Sequence, residues 1–365
     1  MPINTKQVPE FDLTYLQNNG LVLRFPTVYI NNQIKDYENH PNMFRVFNEC
    51  HAWGELMHIK NAADLNALVS TGKVEELIRI SETKQSNELL QLAEKIYNNK
   101  DLKIVLLAGP SSSGKTTTSK KLCMFLRSFG VNPAVISMDD YFVEREETPL
   151  NEEGKPDYEC LEAVDLKLFN NQIEQILKGE EVVTPTYNFL TGNKEYNNKI
   201  KLGNSDVLVI EGIHDLDKRV LTNISKNKIF RIYISALTEL NIDNHNYIST
   251  TDNRLLRRII RDNKTRGHGV QRTISTWPDV RSGEEKYIFP YQDNADYTFN
   301  SALIYEIGVL KTYAEPLLYA VDPSDSCYEE AKRLINFLGF FLPIPADAIP
   351  KDSILREFVG GSFFK

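Results

Sequence analysis

An α/β fold, in which helices cover a mostly parallel β-sheet, is the fold class that this sequence predicts. Beyond residue 102, short apolar runs alternate with stretches of helical spacing. Each run is continuously rich in Val, Ile and Leu, as parallel strands buried on both faces require. With 41% hydrophobic and 25% charged residues over 365 positions, the chain is globular and large enough for one large or two unequal domains.

Residues 1–100 predict a mainly helical module whose pattern differs from the rest of the chain. An extended piece at residues 20–30 precedes several stretches in which apolar residues recur at helical spacing. The last stretch ends in "NNKD", which is typical of a helix terminus. The helical stretches are residues 43–59, 62–69, 73–80 and 87–97.

Residues 101–345 are predicted to form the α/β domain, and residues 346–365 a tail docked on it. The stretch from residue 343 to the end of the sequence is rich in proline and contains two adjacent glycines. Within the α/β domain, a helix is expected from Lys115, shortly after the first strand. The predicted strands are residues 103–108, 134–138, 207–212 and 230–235.

Charge and hydropathy argue against several classes of protein. The formal net charge of −8 lacks the basic excess of a general nucleic-acid binder. No apolar run approaches the roughly 18–20 residues that cross a bilayer. The first 20 residues lack a secretion-signal pattern, so a cytoplasmic location is expected. Because the four cysteines and the pair His51 and His58 lack the spacings of zinc or redox motifs, we expect reduced thiols and no histidine metal site.

The stretch "LLAGPSSSGKTTTSKKL" carries the strongest site signal. It fits G-x-x-x-x-G-K-[ST] between a strand and a helix, where glycines let successive N–H groups point at phosphate oxygens. A Ser/Gly turn before an ordinary helix is the alternative. In the first interpretation Lys115 contacts the β and γ phosphates of a nucleotide, and the Thr116 hydroxyl binds Mg²⁺, as in a GTPase, an ATPase motor or a kinase. The residues predicted to hold the nucleotide are Gly109, Ser111, Ser112, Ser113, Gly114, Lys115, Thr116 and Thr117.

Acidic residues follow two later strands. Asp139 and Asp140 stand at the carboxyl end of the second strand, where ligands of open α/β sheets bind. A carboxylate there can accept the proton of a hydroxyl that attacks the γ-phosphate, while capping of the next turn is the alternative. Glu211 ends the strand "VLVIEG" and is predicted to hold Mg²⁺ directly or through water, unless its carboxylate is structural.

Arginines concentrate in "TTDNRLLRRIIRDNKTRGHG". Arg254, Arg258 and Arg261 are spaced i, i+4, i+7 and share one face of a predicted helix. Opposite a triphosphate, that face would neutralise charge and exclude water, while a solvated basic face is the alternative. The sequence lacks the guanine-reading N-K-x-D motif, helicase boxes and the protein-kinase set, which leaves a small-molecule kinase.

Five segments of the chain resemble the uridine kinase and phosphoribulokinase family, and the similarity runs from about residue 100 to beyond residue 300. The segments are GPSSSGKTT, SMDDYF, PTYNF, VIEGIH and RRIIRDNKTRG. Within it, "YIFPYQDNAD" and "LREFVGGSFF" resemble bacterial uridine-kinase-like nucleoside kinases. The resemblance implies a P-loop NTPase fold with an arginine-bearing lid helix. It also implies Mg²⁺-dependent transfer of the ATP γ-phosphate to the 5′-hydroxyl of uridine or cytidine, a reaction of pyrimidine salvage.

The resemblance also implies roles for single residues. Asp139 matches the catalytic base and Glu211 the metal-associated glutamate. The lid arginines correspond to Arg258, Arg261 and Arg266, which would act on the transferred phosphoryl group together with Lys115. The residues implied in substrate binding are Asp139, Tyr141, Asp157, Tyr187, Phe189 and Arg258, although Tyr187 and Phe189 fit a core position beside the sheet as an alternative.

Two departures from the family pattern leave the acceptor open. The base-reading histidine is missing from residues 187–192, and the second arginine of R-G-R is His268. Polar groups at the base edge give the largest discrimination between substrates. A sugar phosphate, glycerate or pantothenate is therefore the alternative acceptor, and a non-catalytic nucleotide-sensing regulator is the alternative of another class. The expected partner is a small-molecule nucleoside rather than nucleic acid or membrane, and a homo-oligomer is compatible with the sequence.

Overall fold

The computed structural model describes two compact units, Met1–Phe44 and Arg45–Lys365. In the first unit, β1 (Asp12–Tyr15) pairs antiparallel with β2 (Leu21–Arg24), and an ion pair between Arg24 and Asp12 joins the two strands. The described residues are 11–15, 21–26, 33–34, 36–37, 39–151, 154–188 and 191–364.

The remaining elements follow in chain order. Three helices, α1 (Pro41–Leu56), α2 (Ala62–Ser70) and α3 (Val74–Asn98), precede the pair β3 (Ile104–Ala108) and α4 (Lys115–Ser128). Next come β4 (Ala134–Ser137), α5 (Leu166–Leu177), β5 (Val182–Asn188), β6 (Asn193–Ile200), β7 (Leu208–Gly212) and β8 (Ile229–Ser235). The last elements are α6 (Thr250–Thr265), α7 (Val270–Tyr287), β9 (Tyr297–Asn300), α8 (Glu306–Tyr319), α9 (Tyr328–Leu338) and α10 (Arg356–Val359).

Five parallel strands form the central sheet in the order β4–β7–β3–β8–β9. Every residue of β3 and β7 is buried. Alternate residues of β3 enter two different cores: Ile104 and Leu106 pack with side chains of α5, whereas Val105 and Leu107 pack with side chains of α3 and α4. Helices therefore cover both faces of a parallel sheet, and the predicted α/β fold is confirmed.

Two parts of the sheet structure have no counterpart in the sequence prediction. The strand β9 is only four residues long, which is too short for a clear apolar run. The strands β5 and β6 form a separate antiparallel hairpin with a register shift between Thr184 and Pro185. Most residues of β6 are exposed and polar, so this strand gives little hydrophobic signal.

The domain boundary that the sequence predicts near residue 100 does not coincide with the boundary between the two compact units. Helix α3 is one helix of 25 residues, although the sequence shows two separate helical stretches. Its residues Leu89, Leu92 and Ile96 belong to the same core as Val105 of β3. The apolar face of α3 therefore covers the sheet directly, and residues 45–100 lie in the same compact unit as the sheet. The change of sequence pattern marks the passage from this covering helix to the first strand of the sheet.

In the described part of the chain, none of the helices combines the length and the apolar character that a bilayer crossing demands.

Candidate active site

The loop between β3 and α4 has the backbone geometry of an anion cradle. Ser112 has φ of 60° and Gly114 has φ of 86°, so two positions of the loop lie in the left-handed region. Gly109 passes so close to β8 that a Cβ atom there would lie 2.2 Å from the carbonyl oxygen of Ile234. This tight curl directs the loop and the first turn of α4 toward one cleft.

Gly109→Ala is expected to lower the free energy of unfolding by about 1–3 kcal/mol, because the new methyl group must push the loop away from β8. The measurement is urea unfolding of the full chain. Gly269→Ala is the control, because the Cβ it adds would meet only the flexible end of Gln271, at 3.2 Å. Equal stability of the Gly109 and Gly269 variants would show that the close approach at Ile234 is not restrictive.

Lys115 lines the cleft. Its Nζ donates to the carbonyl oxygens of Gly109 at 2.8 Å and Pro110 at 3.2 Å. Desolvation lowers the pKa of Lys115, and the nearby carboxylates of Asp139 and Glu211 oppose that shift. An ammonium group held between the loop and two carboxylates can interact with phosphate oxygens that enter the same space.

Thr116 and Glu211 form the oxygen-rich side of the cleft. The Thr116 hydroxyl lies 3.0 Å from both carboxylate oxygens of Glu211, which ends β7 beside β3. The pKa of Glu211 is raised to about 7, mainly because burial desolvates the carboxylate; Lys115 opposes this shift and Asp139 adds to it. The neighbouring carboxyl of Asp215 is buried, and its pKa is well above the usual range. Hydroxyl and carboxylate oxygens are the ligands that Mg²⁺ prefers, so these residues fit the ion.

Asp139 lies in the turn that follows β4 and lines the same cleft as Lys115. The turn, Met138–Tyr141, is a single 3₁₀ turn at the carboxyl end of the strand. Desolvation raises the pKa of Asp139, and the positive charges of Lys115, Arg266 and Arg261 oppose the shift. The next residue has a different task, because the Asp140 carboxylate accepts the backbone N–H of Tyr187 at 3.1 Å and thereby fixes the β5–β6 hairpin.

Three arginines of the α6 region line the cleft. Arg258 donates from Nη1 to the Ser111 hydroxyl at 2.8 Å. Arg258, Arg261 and Arg266 all form ion pairs with Asp262, at 3.3, 2.8 and 3.7 Å. One buried carboxylate therefore holds three guanidinium groups together at the mouth of the cleft.

Two other arginines of α6 support the loop from behind. Arg254 and Arg257 are fully buried, each paired with a buried glutamate, Glu284 and Glu306 respectively. Arg254 donates to the carbonyl oxygen of Ser111 at 2.9 Å, and Arg257 donates to that of Ser112 at 3.4 Å. Arg254 shares a face of α6 with Arg258, as predicted, but it lies under the loop and does not line the cleft.

The residues implied in substrate binding do not all meet in the cleft. Tyr141 is fully buried in the core, where its hydroxyl donates to Gln172 at 2.8 Å. Asp157 accepts the Tyr287 hydroxyl at 3.0 Å in an adjoining pocket, and Tyr187 is buried with its ring edge-on to Phe142. Phe189 lies outside the described residues.

Other residues line the cleft where an acceptor could lie, and the sequence analysis did not select them. The cleft has a volume of about 330 Å³, and Phe142, Tyr158 and Glu159 lie on its wall together with Asp139 and Arg258. Desolvation raises the pKa of Glu159 to about 7, and Arg258 opposes the shift. Tyr158 and Glu159 also line the adjoining pocket of about 510 Å³, so they stand between the two spaces.

Comparisons with known proteins show which family the chain belongs to. The model of the phosphoribulokinase / uridine kinase family matches residues 104–305, slightly more than half of the chain. The uridine kinase of Staphylococcus haemolyticus is 28% identical over 195 residues, which is 53% of this chain and 84% of that protein. The uridine kinase of Staphylococcus aureus strain JH9 gives the same identity and the same coverage.

Solved structures give more distant likenesses. A structure described as a possible uridine kinase from Bacillus stearothermophilus has a TM-score of 0.35 and 21% identity, and the match covers 55% of this chain and 89% of that one. D-glycerate 3-kinase from Cryptococcus neoformans var. grubii serotype A has a TM-score of 0.37 and 15% identity, with coverage of 57% and 90%.

Proposed function

Because the chain belongs to the phosphoribulokinase / uridine kinase family and is therefore a P-loop kinase, we propose that it transfers the γ-phosphate of ATP to the 5′-hydroxyl of uridine or cytidine. One observation carries this proposal. Asp139 and Lys115 line one cleft together with the phosphate loop and three arginines. A base, an anion cradle and movable positive charge are the parts that phosphoryl transfer needs.

In the proposed reaction, the acceptor hydroxyl lies beside Asp139, which accepts its proton as the oxygen attacks the γ-phosphorus. The bond between the γ-phosphorus and the bridging oxygen breaks, and ADP leaves with that oxygen. Lys115 and Arg258 line the same cleft as Asp139 and stabilise the charge on the transferred group. Thr116 and Glu211 would hold Mg²⁺, which would supply further neutralisation of the phosphate charge.

The arginine cluster supports closure over the bound nucleotide. Arg261 and Arg266 share the carboxylate of Asp262 with Arg258, so the three groups can move as one. Phosphate oxygens can compete for these guanidinium groups, because charge-assisted bonds to phosphate are strong. Closure would exclude water and favour transfer to the acceptor over hydrolysis.

Two lysines of the adjoining pocket support a second candidate acceptor. Five charged side chains line this pocket, those of Lys155, Asp157, Glu159, Asp279 and Lys286, beside the aromatic rings of Tyr158 and Tyr287. Lys155 and Lys286 could interact with the phosphate of a phosphorylated sugar or with the carboxylate of a hydroxy acid such as glycerate. The second candidate is therefore a kinase of a small anionic, hydroxylated metabolite.

An acceptor panel tests the proposal on the full chain. ADP formation from MgATP is measured with uridine, cytidine, ribulose 5-phosphate, glycerate and pantothenate. Uridine or cytidine is expected to give the largest kcat/KM. A flat response to nucleosides with a strong response to an anionic acceptor would favour the second candidate. Binding of ATP without ADP formation for any acceptor would instead favour the nucleotide-sensing regulator.

A further inference from the structure

The C-terminal segment lies along one face of α4, the helix that begins at the phosphate loop. Ile354 packs against Gly114, since a Cβ atom at Gly114 would lie 2.6 Å from Ile354 Cγ2. Asp352 pairs with Lys121, whose Nζ lies 3.2 Å from Asp352 Oδ2. The contacted helix positions 114, 117 and 121 are spaced by three and four, so they form one stripe of the helix surface.

The middle contact of this stripe is made by Glu357. Its Oε2 accepts the backbone N–H of Thr117 at 3.0 Å. The first intrahelical bond of α4 runs from the N–H of Thr118 to the carbonyl oxygen of Gly114, so the N–H of Thr117 belongs to the unpaired first turn. Such first-turn N–H groups are the groups that bind phosphate in a P-loop. The Glu357 carboxylate therefore accepts a hydrogen bond from one of the N–H groups that the anion cradle could otherwise offer to phosphate.

The surroundings of Glu357 fix its position. Arg356 donates from Nη2 to the carbonyl oxygens of Ala346 and Ile349, both at 2.7 Å. Phe358 is fully buried, and the Arg257 guanidinium lies 4.9 Å from the centre of its ring. The segment is thus anchored on both sides of Glu357, while the Glu357 side chain itself is only partly buried and lines the cleft.

We propose that Glu357 is an internal anion of the nucleotide cradle, which a nucleoside triphosphate must displace from the N–H of Thr117 when it binds. This inference rests on the proposed binding of ATP by the loop. A phosphate oxygen and a carboxylate oxygen cannot both accept the same N–H, and their negative charges repel each other in a partly desolvated cleft. The anchored segment keeps the carboxylate close after displacement, so Glu357 weakens nucleotide binding and speeds its release.

Glu357→Gln tests the proposal, because glutamine keeps the shape of the side chain and removes its charge. Dissociation constants for ATP and for tripolyphosphate are measured by calorimetry without Mg²⁺, on the full chain. Both probes are expected to bind the variant about three- to tenfold more tightly than the wild type, since a neutral amide competes less well for a first-turn N–H. Asp347→Asn is the matched control, because it removes one exposed carboxylate from the same segment, and its constants should equal those of the wild type.

Three results would overturn the inference. Unchanged or weaker binding of both probes by Glu357→Gln would show that the carboxylate does not compete with phosphate. Tighter binding of ATP by the variant without tighter binding of tripolyphosphate would place Glu357 beside the nucleoside rather than the phosphates. Failure of the wild type and the variant alike to bind ATP would contradict the proposed function itself, and this inference with it. Unfolding of both variants in urea confirms that the compared proteins are equally folded.

Discussion

Replacement of Asp139 by asparagine is expected to lower kcat by about 10²–10⁴-fold, the range that a positioned general base contributes. The amide cannot accept the proton of the attacking hydroxyl, whereas the phosphate loop and Lys115 are untouched. The dissociation constant for ATP should therefore stay within about twofold of the wild-type value, a change far below the tenfold that about 1.4 kcal/mol would produce. Steady-state kinetics and calorimetry measure the two effects separately.

The neighbouring carboxylate provides the matched control. Asp140→Asn keeps an oxygen acceptor for the N–H of Tyr187, so the hairpin should stay in place and kcat should change little. Equal losses in the two variants would mean that the turn after β4 is sensitive to any change of charge. Unchanged kcat in Asp139→Asn would remove Asp139 from the role of base.

Stability gives a second check on the Asp139 variant. Desolvation raises the pKa of Asp139, so its ionised form is disfavoured in the folded chain. The ionised carboxylate therefore costs stability once the pH rises above the ordinary pKa of aspartate, and the cost is complete above the raised pKa of the folded state. Asp139→Asn removes this cost and is expected to unfold at an equal or higher urea concentration at neutral pH.

Replacement of Glu306 by glutamine is expected to lower the free energy of unfolding by about 3–5 kcal/mol, because it leaves the buried charge of Arg257 without a counterion. Both side chains are essentially inaccessible to water, at 0% and 1% exposure, and the bond between Arg257 Nη2 and Glu306 Oε2 measures 2.6 Å. Urea unfolding of the full chain measures the loss. An effect below about 1 kcal/mol, the usual value of an exposed ion pair, would contradict this account.

An exposed pair supplies the comparison for Glu306. Arg333 and Asp252 are bonded at 2.7 Å but retain 46% and 18% exposure. Asp252→Asn should therefore cost no more than about 1 kcal/mol, although the bond is equally short. The double change Arg257→Met with Glu306→Leu should recover much of the stability, since apolar pairs often replace buried ion pairs without loss. It should still weaken ATP binding, because the contact of Arg257 with Ser112 is lost.

The sequence predicts the local parts of the structure well. All residues of the phosphate loop are consecutive in the sequence. The position of the loop after β3 and before α4 therefore follows from the motif alone. The buried runs that became β3, β7 and β8 are recognisable because strands covered on both faces need no polar side. The roles assigned to Asp139, Glu211 and the lid arginines stay predictions, although these residues line one cleft.

Contacts between distant segments explain what the sequence could not predict. Arg254 and Arg258 lie one turn apart on α6, and only the partner Glu284, 30 residues from Arg254, decides that Arg254 is buried under the loop. Tyr141 follows two acidic residues at the cleft, but the single 3₁₀ turn directs its ring into the core, against Phe169. No local pattern marks Glu159 or Glu357, because each is defined by neighbours on other elements.

The supports of the phosphate loop come from far along the chain, and this has a consequence for synthesis on the ribosome. The carbonyl oxygen of Ser111 meets Arg254 after 143 residues, and that of Ser112 meets Arg257 after 145 residues. Long sequence separation slows the search for native contacts. A nascent chain that has exposed only the loop motif therefore lacks a supported cradle, so competence to bind a nucleotide should arise only after α6 has left the exit tunnel.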